Sequence, residues 1–350
     1  MATSAGGDQD RAFVHAAPDL HPRGVAVALE VGGASDEVST IATGPMGLDP
    51  ESDDGSDHEH DPQNDQNDAG VHGSSFPRPG VTRCPSTDHT CPIPEILEVE
   101  MFRRASAAVI GWRITGVDAD DPIVVPVPEF VHPLVGGRVV DVTRHGKVMG
   151  IVVRRQRRME TIDVHFGMSG RVIVNGRSPI EELAYGASDD SRWHRFTLRF
   201  DRGTLVLSDP RRFARVTPAQ DRADLGPDAW SVDRRTFRVR LSGRRTAVKA
   251  ALLDQSVVAG LGNMLVDEIL MKSGVDPRRS VASLDESTVT ALHRNMRAVL
   301  DRLWKRGGSH AGDLAVELRR PGAGCPVDGT LLARANVGGR TTFWCPKHQV

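Results

Sequence analysis

The chain has 350 residues, 39% of them apolar and 26% charged, with a formal net charge of −2. That length admits two or three domains of ordinary size. No stretch approaches 18 consecutive apolar residues, so no transmembrane helix is expected, and four cysteines argue against a disulfide-built extracellular scaffold. Asp8, Asp10 and Asp19 interrupt the first thirty residues, which therefore do not read as a secretory signal. The near-zero net charge hides an asymmetry. Residues 1–93 hold 16 Asp/Glu against 4 Arg, a net of −12, while residues 94–350 hold 30 acids and 40 bases, a net of +10. A basic body of that size points to a polyanionic partner.

Taken in chain order, residues 1–93 read as a disordered acidic extension. The run DPESDDGSDHEHDPQNDQNDAG (49–70) is nearly free of large apolar side chains, and such a segment cannot bury enough surface to offset its ordering entropy. It reads either as a solvated leader, including an over-extended gene start, or as an acidic tail competing with DNA for the basic body. Cys84 and Cys91 lack a partner pair nearby and do not read as a metal site. Order is expected from Pro94. Over 95–110, Val99, Phe102, Ala105 and Val109 fall on one helix face. Strand-like segments follow: VVDVT into HGKVMGIVV, then TIDVHFGMSGRVIV. In RFTLRFDRGTLVLSD (195–209), Phe196, Leu198 and Phe200 alternate, Asp-Arg-Gly turns, and Leu205 and Leu207 resume, which predicts a hairpin. From about residue 226 the spacing becomes helical, and Val289, Leu292, Met296, Val299, Leu300 and Leu303 form one stripe. The last thirty residues are Gly-rich and short-stranded, with one cysteine near each end.

Five separated motifs occur in one order. Pro94-Glu95-Ile96-Leu97-Glu98-Val99-Glu100 resembles the Pro-Glu-Leu-Pro-Glu-Val-Glu start of the formamidopyrimidine-DNA glycosylase and endonuclease VIII family. HFGMSG (165–170) and SDPRRF (208–213) resemble that family's strand-loop motifs. LLDQSVVAGLGNMLVDEIL (252–270) resembles its helix–two-turns–helix element, and CPVDGT…VGGRTTFWCPKHQ (325–349) its C-terminal zinc finger. The resemblance implies an α+β fold: a catalytic β-sandwich domain over 94–218, a helix–two-turns–helix DNA-binding domain over 226–315, and a zinc-finger-like β-hairpin tail over 319–350. It also implies base excision with abasic-site lyase activity on damaged double-stranded DNA. The expected setting is a monomer in a bacterial cytoplasm, associated with the nucleoid.

The implied roles follow motif by motif. In such enzymes the proline amine attacks C1′ of the damaged nucleotide and the next glutamate serves as acid and base; Pro94 and Glu95 match. Lys147, in Arg144-His145-Gly146-Lys147, matches an active-site lysine that contacts phosphate and donates a proton. Met168, Arg211 and Phe213 match three side chains that fill the gap left by an extruded nucleotide. His165, Arg212 and Arg245 match phosphate contacts. Asn263 does so too, and the backbone amides at the helix start beside it suit a phosphate; Lys249 reads as one more contact or as solvated surface. Leu265 stands where the family usually has a tyrosine, and Arg340, in Gly338-Gly339-Arg340-Thr341-Thr342, matches a hairpin-tip arginine that contacts the lesion-flanking phosphate and assists the second elimination.

Two departures stand out. Ninety-three residues precede Pro94, so its nitrogen is a tertiary amide without a usable lone pair. Met46 and Met101 are the flanking methionines, and only cleavage after Ile93 or initiation at its codon frees the proline. A non-catalytic binder of damaged or abasic DNA is therefore the rival reading. In the finger, Asp328 and His348 join Cys325 and Cys345 where the family has four cysteines; both substitutes are competent ligands, Asp the weaker, so the tail reads as holding one structural Zn2+ or else as a zinc-free hairpin packed on Phe343 and Trp344. Only 16 residues separate Gly308 from Cys325, where oxidised-guanine enzymes of the family carry a longer capping loop. This implies an oxidised pyrimidine, an opened purine or an abasic site as substrate.

Overall fold

The computed structural model describes residues 94–180, 190–220 and 222–350; the acidic extension read over 1–93 lies outside them. The first helix, α1 (Ile96–Ser106), starts where Glu95 takes an extended conformation and Glu98 turns back to accept from the Glu95 backbone N–H at 2.9 Å. It has two apolar faces. Val99 and Phe102, with Val109 in the short turn just beyond the helix, enter the core of a β domain, whereas Ile96 and Leu97 enter a helical core. Ala105, expected on the first face, is only half-buried because Ser106 takes the inward position.

The β domain holds two four-stranded antiparallel sheets. One runs β2 (Arg138–His145), β3 (Val148–Arg155), β4 (Arg158–His165), β8 (Arg215–Pro218); the other runs β1 (Ile114–Asp118), β6 (His194–Phe200), β7 (Gly203–Ser208), β5 (Arg171–Val174). Met149, Ile151 and Ile162 from the first sheet meet Phe196, Leu198 and Leu205 from the second in a single core. This is a sandwich, and each such side chain contributes about 1.5–3 kcal/mol when fully buried. The predicted β6–β7 hairpin is present, with Phe196, Leu198 and Phe200 buried and Arg199 exposed between them.

Four helices follow: α2 (Arg234–Leu241), α3 (Val248–Leu253), α4 (Asn263–Ser273) and α5 (Glu286–Arg306). Asp285 caps α5 by accepting from the Thr288 N–H at 2.7 Å, and Gly307 ends it in the left-handed region. All six residues of the α5 stripe are buried. Two turns join α3 to α4. There Gly260 has a φ of +113°, and a Cβ on it would lie 2.7 Å from the Ile96 side chain, so only glycine fits. The chain closes with the hairpin β9 (Ala333–Val337) and β10 (Arg340–Trp344). Among the described residues no helix is long and apolar enough to cross a membrane.

Candidate active site

A cavity of about 570 Å³ opens where α1, the β2–β3 turn, the end of β4, the two turns and the β9–β10 tip converge. Pro94, Glu95, Lys147, His165, Met168, Asn263 and Arg340 all line it, so seven of the residues singled out in the sequence come together.

Glu95 is fully buried, and its position is set by the start of α4. One carboxylate oxygen accepts from the N–H groups of Gly262 (2.8 Å) and Leu265 (3.2 Å), the other from Met264 (2.9 Å). A carboxylate on a helix N-terminus answers both the unpaired amides and the dipole. Burial nevertheless dominates and raises the Glu95 pKa; Glu98 pushes the same way, while Lys147 and the helix amides oppose it. The side chain is thus fitted to hold and return a proton. This corrects one expectation: the amides at the helix start are occupied by Glu95 and do not lie open for a phosphate. Asn263 instead donates its side-chain amide to the Thr341 carbonyl at 3.2 Å, joining helix to hairpin.

Lys147 follows Gly146, whose φ of +56° makes the tight β2–β3 turn. Asp228 clamps this turn from the segment before α2. It accepts from the Gly146 N–H at 2.8 Å and pairs with the Arg144 guanidinium, which also reaches Glu100 at 3.2 Å. Burial lowers the Lys147 pKa, and Arg340 adds to that; Glu95 and Glu98 act the other way. His165 accepts at Nδ1 from the Gly167 N–H (3.1 Å), which places the proton of the neutral ring on Nε2. Desolvation, then the charges of Lys147 and Arg215, hold its imidazolium below the ordinary histidine range.

The two loops expected to fill a gap in the DNA stack are bound to each other. The Ser169 hydroxyl donates to Asp209, and Gly167 packs so tightly on Phe213 that a Cβ would come within 2.4 Å of its backbone. Phe213 is 42% exposed, with the Arg211 guanidinium 4.5 Å above its ring. An exposed aromatic carrying a cation is apt for entering a base stack. Arg212 already has a counter-ion, Asp121, at 2.9 Å. Arg245 is exposed on the loop before α3, away from the cavity lining.

Lys249 corrects the sequence reading altogether. It is fully buried, its Nζ 2.6 Å from Asp267 and 2.7 Å from the Thr342 hydroxyl, with Arg319 on the other Asp267 oxygen at 2.7 Å. It therefore faces neither phosphate nor solvent. Sequence reasoning also missed Asp228, although one acid in the otherwise uncharged segment LGPDAW (225–230) was a usable signal. Gln255 was missed as well; it ties the two turns together by accepting from Gly260 N–H and donating to the Leu253 and Leu261 carbonyls.

In the tail, the donor atoms of Cys325, Asp328, Cys345 and His348 lie within 4.8 Å of one another. Cys325 Sγ is 3.6 Å from His348 Nδ1, and Cys345 Sγ is 3.6 Å from an Asp328 oxygen. Ligand bonds of about 2.0–2.3 Å in a tetrahedron require donor separations of about 3.3–3.8 Å; both of these pairs meet that, and the cluster could hold a metal ion. The Thr330 N–H donates to Asp328, whose pKa is lowered to about 2, keeping it anionic as a ligand must be.

The model of the formamidopyrimidine-DNA glycosylase N-terminal domain matches residues 93–216, and that of the formamidopyrimidine-DNA glycosylase H2TH domain matches residues 225–313. The formamidopyrimidine-DNA glycosylase of Paracoccus denitrificans is 34% identical over 283 residues, covering 73% of this chain and 99% of the relative. That of Variovorax paradoxus is 32% identical, covering 73% and 100%. Among solved structures, MutM in complex with DNA containing carbocyclic 8-oxo-G is 27% identical with a TM-score of 0.62, covering 73% of this chain and 99% of the other. The Lactococcus lactis Fpg complex with DNA containing an abasic site is 26% identical with a TM-score of 0.61 and the same coverage.

Proposed function

This chain belongs to the formamidopyrimidine-DNA glycosylase family, and from that premise we infer that it is a base-excision repair DNA glycosylase with abasic-site lyase activity. The observation that carries the reading is the convergence of Glu95, Lys147, His165 and Arg340 with Pro94 in one cavity. With its nitrogen free, Pro94 attacks C1′ of the damaged nucleotide. The base leaves with the electron pair of its bond, and the resulting iminium acidifies the C2′ proton, so that elimination expels the 3′ phosphate. Glu95, with its raised pKa, carries protons to and from the sugar. Lys147 and Arg340 contact the phosphates beside the lesion; Met168, Arg211 and Phe213 fill the gap left in the duplex.

Residues 94–218, 226–315 and 319–350 serve as catalytic sandwich, DNA-binding helical domain and finger. Zinc held by Cys325, Asp328, Cys345 and His348 supplies rigidity to the hairpin that carries Arg340. Duplex DNA bearing an oxidised pyrimidine, an opened purine or an abasic site is the partner. The protein acts as a monomer in the cytoplasm, at the nucleoid. The rival reading, a non-catalytic binder of damaged DNA, is favoured by the 93 residues that precede Pro94.

Duplexes carrying one lesion of each class test the reading. Base release or strand cleavage on at least one is expected. Binding to all of them with neither reaction on any would establish the binder.

A further inference from the structure

In the intact chain the carbonyl of Ile93 occupies the nitrogen of Pro94, and an acylated nitrogen has no lone pair to give. The cavity wall nevertheless holds an amine. The chain has five lysines. Lys272, Lys305 and Lys347 are exposed and outside the lining, and Lys249 is locked to Asp267 and Thr342. Lys147 lines the cavity together with Pro94 and Glu95, and its Nζ makes no hydrogen bond or ion pair among the described residues. Its backbone is not free to wander, because Asp228 holds Arg144 on β2 and Gly146 in the turn itself.

We propose that Lys147 is the imine-forming amine of the intact 350-residue chain, replacing the acylated Pro94 in the reaction on abasic-site DNA. The proposal rests on the glycosylase reading above and deepens it. Burial favours the neutral amine, as a nucleophile requires. The neutral Nζ adds its lone pair to the C1′ aldehyde of the opened sugar. One proton moves from nitrogen to the former carbonyl oxygen, and that oxygen leaves as water once Glu95 supplies a second proton. The protonated imine C1′=N draws the C2′ proton off to a base. The electron pair left behind forms C2′=C3′, and the C3′–O bond breaks with its pair on the departing phosphate. Water then adds across C=N and returns the amine.

The experiment uses the full chain, verified by intact mass, on a duplex with one abasic site in the presence of borohydride, which reduces the imine to a stable amine. Peptide mapping of the adduct is expected to place it on Lys147, where the alkylated side chain also blocks tryptic cleavage. With the DNA saturated by protein, so that binding does not limit the rate, Lys147→Arg, which keeps the charge, should form adduct at least about a hundredfold more slowly. An adduct on any other lysine, on the Met1 amine, or on the Pro94 terminus of a shortened chain overturns the proposal. So does trapping by Lys147→Arg at the wild-type rate. Absence of any adduct while base release persists overturns it too, yet leaves the glycosylase reading standing; absence of both reactions takes that reading down as well.

Discussion

Two lysines of this chain are drawn away from solvent, Lys249 fully buried and Lys147 half-buried, and their surroundings are opposite. Lys249, on α3, has an anion at 2.6 Å, a hydroxyl at 2.7 Å and a second cation, Arg319, sharing the anion. Lys147, on the β2–β3 turn, faces a cavity with carboxylates in its field but no bond to either. Burial lowers the pKa of both. The difference lies in what is done with the amine: one is spent on joining α3, α4 and β10, the other is left available. A buried charge alone says little about function; the presence or absence of a bonded counter-ion says much more.

The largest test of this contrast is stability. Lys249→Met strands Asp267 with only Arg319 and should cost about 3–5 kcal/mol in urea unfolding, whereas Lys147→Met should cost less than about 1 kcal/mol, since no bonded partner is lost. Equal losses would erase the distinction. Next in size is the clamp. Asp228→Asn removes the charge that pairs with Arg144 and loosens the turn, so adduct formation at Lys147 should slow on the order of ten- to a hundredfold, with DNA affinity nearly unchanged. An equal fall in affinity would make Asp228 a general structural residue instead.

A smaller effect is expected from the far side of the cavity. The protein should contain about one zinc per chain, and Cys345→Ser should release it. DNA binding should then weaken severalfold as the Arg340 hairpin loosens, while the Lys249 cluster keeps β10 attached. Metal-free protein with undiminished affinity would remove zinc from the account. The smallest effect is the pH slope. Both lysines have folded pKa values below 10.5, so above the folded values the unfolded chain binds more protons, and stability should rise with pH up to about 10.5. Lys147→Met should flatten part of that rise. The rate of adduct formation in the wild type should climb with pH and level off before a free lysine amine would.

Much of this was legible in the sequence. The α5 stripe and the β6–β7 alternation are local patterns set by side-chain period alone, and the five motifs hold six of the seven named residues that line the cavity, Lys147 lying outside them. The failures share one cause. Lys249, followed by two alanines, resembles any surface helix position, and its hydroxyl partner Thr342 lies 93 residues away. The amides at the start of α4 look open in sequence because their acceptor, Glu95, comes from the other end of the chain. The two loops that close on Phe213 were recognisable singly, but the Ser169–Asp209 bond that joins them has no local signature. Periodicity reports which face is inward; it does not report which polar group will be waiting there.

The seat of Glu95 has a further consequence, for the order of synthesis. The amides that receive its carboxylate are 167 to 170 residues downstream. A nascent chain can complete the sandwich while that carboxylate is still in water, since N-terminal domains fold first. Until Leu265 has left the ribosome, Glu95 is an ordinary surface acid with ordinary acidity. The buried carboxyl with its raised pKa therefore comes into being late, and a stalled or truncated product that stops short of α4 carries the residue without the seat that sets it.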